Sequence, residues 1–345
     1  MATTRAVDTH RHAVPEAGAI SRAAVESVVA SAGRAPSIHN TQPWQWRLHD
    51  GVLDVRADRT RQLRVADRDG HSLLVSCGAA AQLTELALSA QGWAVEPSLL
   101  PDPGDPDLLV RLRPVRRTDV DAGAKSRLAA ALGRRSERRA FGPDAVSADI
   151  VERLRRAVTA PGLYVHFAVS ANETLGLAVA ISQADRWQRR DSDYMAEMAA
   201  WVRADDASPD GVPYSVIPQV PAAEPRHTDI PLRDFEVGVP GGQLITPDVD
   251  ERPLIAVIFT DVDSELERLR AGQAMMRLMV QAELDGIASC PLSQSVDLLA
   301  FRTRLRTLMS WPGHPQMMLR LGQRPAAPAA PLTSRRSVGD VLTIA

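Results

Sequence analysis

The sequence predicts an α+β fold built from two related halves in one chain, and three observations carry this. The chain has 345 residues, room for two domains or two halves of one unit at about 150 residues each. Apolar residues recur at helical spacing in some segments and alternate with polar ones in others, so both element types are expected. A helix–turn–strand pattern near residues 20–55 is echoed near 147–169, with Ala35-Pro36-Ser37 at the first turn and Ala160-Pro161-Gly162 at the second. The second copy lacks the polar residues that follow Pro36, so the halves are not equivalent in function.

Taken in order, residues 1–18 are polar and unpatterned and read as a flexible tail, which includes His10 and His12. Ser21 caps a helix whose Val25, Val28 and Val29 recur at helical spacing as far as Gly33. A turn-rich stretch with Pro36 and Pro43 leads into Trp44-Gln45-Trp46, which alternates as a strand does, and Asp50-Gly51 marks a hairpin turn. Residues 73–90 are almost wholly apolar and rich in small side chains, the pattern of a buried helix. Four prolines in 97–107 predict a loop, 124–132 a short helix, and 147–158 an amphipathic helix stopped by Pro161-Gly162. Residues 164–169 and 254–259 read as buried strands. Between them, 204–253 is Pro/Gly/Asp-rich and unpatterned, as functional or disordered insertions are. Ser264 with Glu267 predicts the start of a long helix and Gly286 its end. Residues 288–292 and 316–321 are further strands.

Composition narrows the function. With 45% hydrophobic and 24% charged residues the chain can bury a sizeable core. Its net charge of −2 argues against a nucleic-acid or membrane-surface partner. Lys125 is the only lysine and no glycine pattern precedes it, which excludes a Walker-type phosphate loop. Cys77 and Cys290 are too few for a disulfide framework or a thiolate metal site, and fit a reducing cytoplasm. The N-terminal stretch has no apolar h-region, so a cytoplasmic location is expected. Asp67-x-Asp69-Gly70-His71 lacks the further acidic ligands of a calcium loop, and no metal site is expected.

Two stretches carry chemistry. Arg134-Arg135-Ser136-Glu137-Arg138-Arg139 lies in the strongest basic bias of the chain. Guanidinium forks beside a hydroxyl match a phosphate, although a solvated basic turn would have the same composition. Pro36-Ser37-Ile38-His39-Asn40-Thr41-Gln42-Pro43 fixes a loop presenting Ser37, Asn40 and Gln42. It suits the donor–acceptor edge of a planar heteroaromatic ligand, or an ordinary helix-to-strand connection.

Together the two stretches resemble the flavin-binding nitroreductase family, with its Arg-x-Ser-x-Arg phosphate motif and Pro-Ser-x-x-Asn-x-Gln-Pro-Trp loop. In that family the phosphate motif comes first and two subunits share each FMN site. Here the order is reversed, which resembles the Acg-type branch, where two nitroreductase-like halves are fused. The resemblance implies a first, truncated half over 19–123 and a second over 124–345. It also implies a lid insertion at about 204–253, with 231–235 its ordered part. Arg134, Ser136 and Arg138 would hold the FMN phosphate, with Arg335 or Arg336 near it. Ser37, Ile38 and Asn40 would reach the flavin from the other half, beside Pro291, Leu292 and Ser293. Ser293 stands where many bacterial members carry Glu. One FMN per chain and a monomer with an internal pseudo-dimer follow.

The implied activity is hydride transfer from NADH or NADPH through FMN to a nitroaromatic or quinone-like acceptor, with no protein acid or base required. The alternative is a protein that sequesters FMN under its lid with little turnover.

Overall fold

The computed structural model describes residues 20–219, 242–246 and 249–345. The expected N-terminal tail, including His10 and His12, and residues 231–235 of the insertion lie outside these. The fold is mixed α+β.

Helix α1 (Arg22–Ala32) starts where the Ser21 hydroxyl accepts a hydrogen bond from the Ala24 amide, and buries Val25, Val28, Val29 and Ala32. Strands β1 (Trp44–His49) and β2 (Val52–Ala57) form the expected hairpin. Asp50 and Gly51 turn it with φ of 48° and 73°, the left-handed pair whose twist matches two antiparallel strands. Helix α2 (His71–Ala90) follows, then β3 (Trp93–Leu99) and β4 (Leu108–Arg117). The loop predicted from the prolines of 97–107 therefore begins later than expected, because β3 runs through Pro97. Proline is tolerated there because β3 is, among the described residues, an edge strand with no outer partner that would need the missing N–H.

Helices α3 (Ala122–Gly133) and α4 (Ala148–Val158) lead to β5 (Leu163–Ala168), α5 (Ala171–Gln188) and α6 (Ser192–Ala200). The short strands β6 (Val202–Arg203) and β7 (Val212–Pro213) pair in parallel. After the insertion come β8 (Leu254–Thr260), α7 (Glu265–Leu284) and β9 (Ile287–Leu292). The chain closes with α8 (Leu299–Leu308), β10 (His314–Gln323), α9 (Val338–Val341) and β11 (Leu342–Ile344).

Among the described residues two larger sheets result, ordered β11-β1-β2-β4-β3 and β5-β8-β10-β9, beside the two-stranded β6-β7. The C-terminal strand β11 returns to the first sheet and lies parallel to β1. The aspartates of the 67–71 motif have structural partners. Asp67 accepts the Ser72 and Leu73 amides (2.8 Å each), capping α2, and Asp69 pairs with Arg302 (2.5 Å). Among the described residues no group of three His, Cys, Asp or Glu is placed to hold a metal.

Helices α2 and α7 cross at the centre. Helix α2 is long and apolar enough to span a bilayer by length and composition, yet most of it is buried in protein. At the crossing a Cβ on Gly78 would lie 2.1 Å from the Leu269 carbonyl oxygen, and one on Gly272 2.0 Å from that of Val75. Each glycine thus meets the carbonyl three residues before the other. This reciprocity is what a two-fold axis generates. The obstacles are backbone, so no side-chain rotation can make room. Gly78→Ala and Gly272→Ala are each expected to cost about 3 kcal/mol, the upper end for overpacking a core. Denaturant unfolding with a midpoint unchanged from the parent would contradict so tight a crossing.

Candidate functional site

The loop after α1 is strained and heavily tied. His39, Asn40 and Gln42 take positive φ of 46°, 55° and 50°, a region that non-glycine residues seldom occupy without outside support. The support comes from two distant segments. Asn40 Nδ2 donates to the carbonyls of Gly211 (3.0 Å) and Ser334 (3.3 Å). Gln42 Nε2 donates to Pro209 O (2.7 Å), while its Oε1 accepts the Arg336 amide (2.9 Å). The Ser37 hydroxyl accepts from the Gln42 amide (3.0 Å), and the Ile38 amide donates to Ser76 Oγ on α2 (3.3 Å). This loop therefore fastens both the start of the insertion and the C-terminal segment beside it.

The basic segment begins at the C-cap of α3, which is Arg134. Ser136 bridges to Ser289, and the Glu137 amide donates to Ser289 O (2.9 Å), which docks the segment against β9. Arg139 turns away into an ion pair with Glu137 (2.7 Å). Arg134 is 5% exposed and donates to Arg34 O (3.2 Å). Arg34 donates to Thr333 O (2.9 Å), and Arg335 to the carbonyls of Gly33 (3.0 Å) and Ser334 (2.9 Å). Among the described residues no carboxylate pairs with Arg34, Arg134 or Arg335.

Arg34, Arg134, Arg138 and Arg335 line one cleft. Burial holds all four guanidinium groups below their usual range, Arg134 at about 10. Repulsion adds to burial: Arg135 acts on Arg34, Arg34 and Arg138 on Arg134, and all three cleft neighbours on Arg335, while Glu283 opposes it at Arg134 and Glu137 draws Arg138 back up. Guanidinium stays charged under ordinary conditions, so this end of the cleft is built for an anion.

The cleft encloses about 1270 Å3 of free space, solvent at its mouth included. Ser37, Ile38, Asn40, Arg134, Ser136, Arg138, Pro291, Leu292, Ser293 and Arg335 all line it. Arg336 does not. It lies beyond the loop, paired with Asp58 (3.4 Å) and donating to Asp340 O (3.0 Å). Arg34, Ser72, Ser76 and Gln294 also line the cleft, as do Gly211, Val212, Val216 and Pro218 of the insertion, and the sequence reading missed the first four. Arg34, one residue before the Ala-Pro-Ser turn, was open to discovery by its charge. Ser72 and Ser76 are hidden in a helix that reads as core, and stand four apart on one face of α2. Ser72 and Ser293 hydroxyls donate to opposite oxygens of buried Asp297 (3.0 and 3.1 Å). Cys290 also lines the cleft, but burial pushes its thiol up, which keeps it protonated and a poor nucleophile.

Four buried polar atoms of the lining have no partner among the described residues: Arg134 Nε, Arg135 Nε, Asn40 Oδ1 and Gln294 Nε2. Such groups are costly unless a ligand meets them. They ask for an anionic head together with a polar edge bearing both a donor and an acceptor. A phosphorylated heterocycle fits this set.

No protein-family profile matches the chain. A Mycobacterium tuberculosis H37Rv protein named "Putative NAD(P)H nitroreductase Rv3131" is 32% identical over 328 residues, spanning 92% of this chain and 90% of the relative. A second from the same strain, "Putative NAD(P)H nitroreductase acg", is 30% identical over 331 residues, spanning 93% and 95%. Among solved structures, a nitroreductase with bound FMN from Bacteroides fragilis aligns at a TM-score of 0.39 and 13% identity, over 61% of this chain and 95% of that one. One from Desulfitobacterium hafniense, also with bound FMN, aligns at 0.36 and 10% identity, over 60% and 92%. The chain belongs to the nitroreductase family of these mycobacterial relatives.

Arg134→Gln and Arg138→Gln are each expected to weaken binding of a phosphorylated ligand by about ten- to a hundredfold, from about 1.5–3 kcal/mol per charge-assisted hydrogen bond. The unliganded Arg134→Gln protein should be no less stable than the parent, since it sheds a charge that burial penalises and Arg34 repels. Calorimetric titration with FMN and thermal unfolding read the two effects, and parent-like affinity in both variants would refute the assignment.

Proposed function

We propose that the chain is an FMN-dependent oxidoreductase that uses NADH or NADPH to reduce a nitroaromatic or quinone-like acceptor. The observation that carries this is the pairing, in one cleft, of four arginines, Arg134 buried and Arg34, Arg138 and Arg335 half-buried, with an orphaned amide donor and acceptor. The nitroreductase names of the mycobacterial relatives supply the reaction class. Arg34, Arg134, Arg138 and Arg335, with Ser136, would hold the phosphate. Ser37, Ile38 and Asn40 would face the ring from one side and Pro291, Leu292 and Ser293 from another. Bound FMN would supply the hydride chemistry, and the protein would orient it, exclude water and tune its polar edge. No side chain is assigned as catalytic acid or base.

In this reading residues 19–123 and 124–345 are two fused nitroreductase-like halves, and the α2–α7 crossing stands in for the family's subunit contact. The register of the crossing makes Arg270 the counterpart of Ser76. Ser76 meets the Ile38 amide at the cleft wall, whereas Arg270 reaches the Pro161 carbonyl and pairs with Glu267 (2.7 Å). The counterpart of the cleft-wall serine is thus a long, charged side chain, which supports one FMN per chain. Flavin, the reductant and a small acceptor would be the partners, and the chain would act as a monomer in the cytoplasm.

One observation favours a second reading, in which FMN is sequestered with little turnover. The start of the insertion lies against the cleft and is fastened by Asn40, Gln42 and an Arg61–Asp210 ion pair. Such a lid would keep a nicotinamide from the ring.

The enzyme reading predicts a yellow monomer carrying about one released FMN per chain, bleached promptly on stopped-flow mixing with NADH or NADPH. A flavoprotein that stays yellow on mixing supports sequestration. A colourless protein that takes up no FMN refutes both. Two FMN per chain would show that the second site is not degraded, and a dimer mass in light scattering at all concentrations would overturn the internal pseudo-dimer.

A further inference from the structure

We propose that Gln294 is a cofactor-contacting residue whose side-chain amide donates to a carbonyl oxygen of the flavin ring and raises the ring's reduction potential. The inference rests on the flavin reading above. Gln294 follows the end of β9 and is 1% exposed, yet it lines the cleft. Its backbone is held in place. The Gln188 side chain of α5 donates to its carbonyl (3.0 Å), and the turn around it is closed by the Val296 and Asp297 amides bonding to Ser293 O (2.8 Å each). Its Nε2 has no partner among the described residues.

A rigidly mounted, buried amide with an unmet donor is expensive, and a structure that keeps one does so where something else completes it. The neighbouring hydroxyls do not compete for the same acceptor, because Ser72 and Ser293 commit their hydrogens to Asp297. Gln294, which follows Pro291–Ser293 along the cleft wall, therefore carries an unmet N–H donor that a small turn of its side chain would bring to a ligand. The acceptors that a flavin presents to such a donor are its ring carbonyls. Two-electron reduction increases the negative charge on that edge, so a neutral donor there binds the reduced ring more tightly than the oxidised one. The preference appears as a higher potential.

The test uses the FMN-loaded full chain and compares wild type with Gln294→Leu, which removes the donor, and Gln294→Glu, which keeps the shape. Midpoint potentials are read by equilibration against a reference dye, and FMN affinity by fluorescence quenching. Gln294→Leu should bind oxidised FMN about two- to tenfold more weakly, the effect of one neutral hydrogen bond. Its preference for reduced over oxidised FMN should fall about tenfold, which is about 30 mV for a two-electron couple. Gln294→Glu should stay near wild type while its carboxyl is protonated and can still donate, and should shift the same way as Gln294→Leu as pH rises and the carboxylate ionises. A potential unchanged in both flavin-loaded variants would overturn this inference and leave the flavin reading standing. A shift in Gln294→Leu that Gln294→Glu lacks even at a pH where its carboxylate is ionised would also overturn it, as a packing effect. Failure of the wild type to bind FMN would overturn both.

Discussion

The crossing of α2 and α7 constrains everything else in the molecule. Two helices whose backbones touch need glycine on both sides, and Gly78 and Gly272 supply it reciprocally. Close approach fixes rotation as well as distance, because each glycine must face the carbonyl of its counterpart's preceding turn. With rotation fixed, Ser72, Val75 and Ser76 on α2 and Met275 on α7 are turned to one cleft. The two sheets are then held on their helices, and β11 ties the end of the chain back to β1. The C-terminal segment that carries Arg335 is pinned between that strand and the loop after α1.

The cleft gathers four arginine charges that the nearby Glu137 and Glu283 offset only in part. Arg34, Arg134 and Arg335 satisfy their hydrogen bonds largely with carbonyls that leave the positive charge unneutralised. That arrangement costs stability in the unliganded protein and repays it when an anion arrives, a common cost of function at binding sites. The strained loop works alongside it. Its left-handed residues persist because Asn40 and Gln42 spend their amides on the insertion and on the C-terminal segment. The loop is thus as much a fastener of the cleft walls as a surface for a ligand.

Much of this was legible in the sequence wherever the signal is local. Asp50-Gly51, the Ser21 and Ser264 caps and the apolar face of α4 each act over a few residues, and the structure has them where expected. The arginine segment and the proline-framed loop were legible because charge and rigidity are unusual in themselves. What was missed depends on distant partners. Pro97 reads as a loop residue until β3 is known to be an edge strand. Helix α5 went unread because Leu175 and Val179 are exposed and blur its apolar stripe. Nothing local separates Arg335 from Arg336; only the Gln42 and Asp58 contacts turn the latter away from the cleft. Gly78 and Gly272 look like ordinary weak points of two helices until each is seen against the other.

The central claim is that the arginine cluster selects its ligand by the phosphate. Calorimetric titration of the flavin-free protein with FMN and with riboflavin, which has the same ring and no phosphate, tests it most directly. The account predicts one FMN bound per chain and riboflavin bound at least about a hundredfold more weakly, the loss of two charge-assisted hydrogen bonds or more. Equal affinity for the two flavins would contradict it.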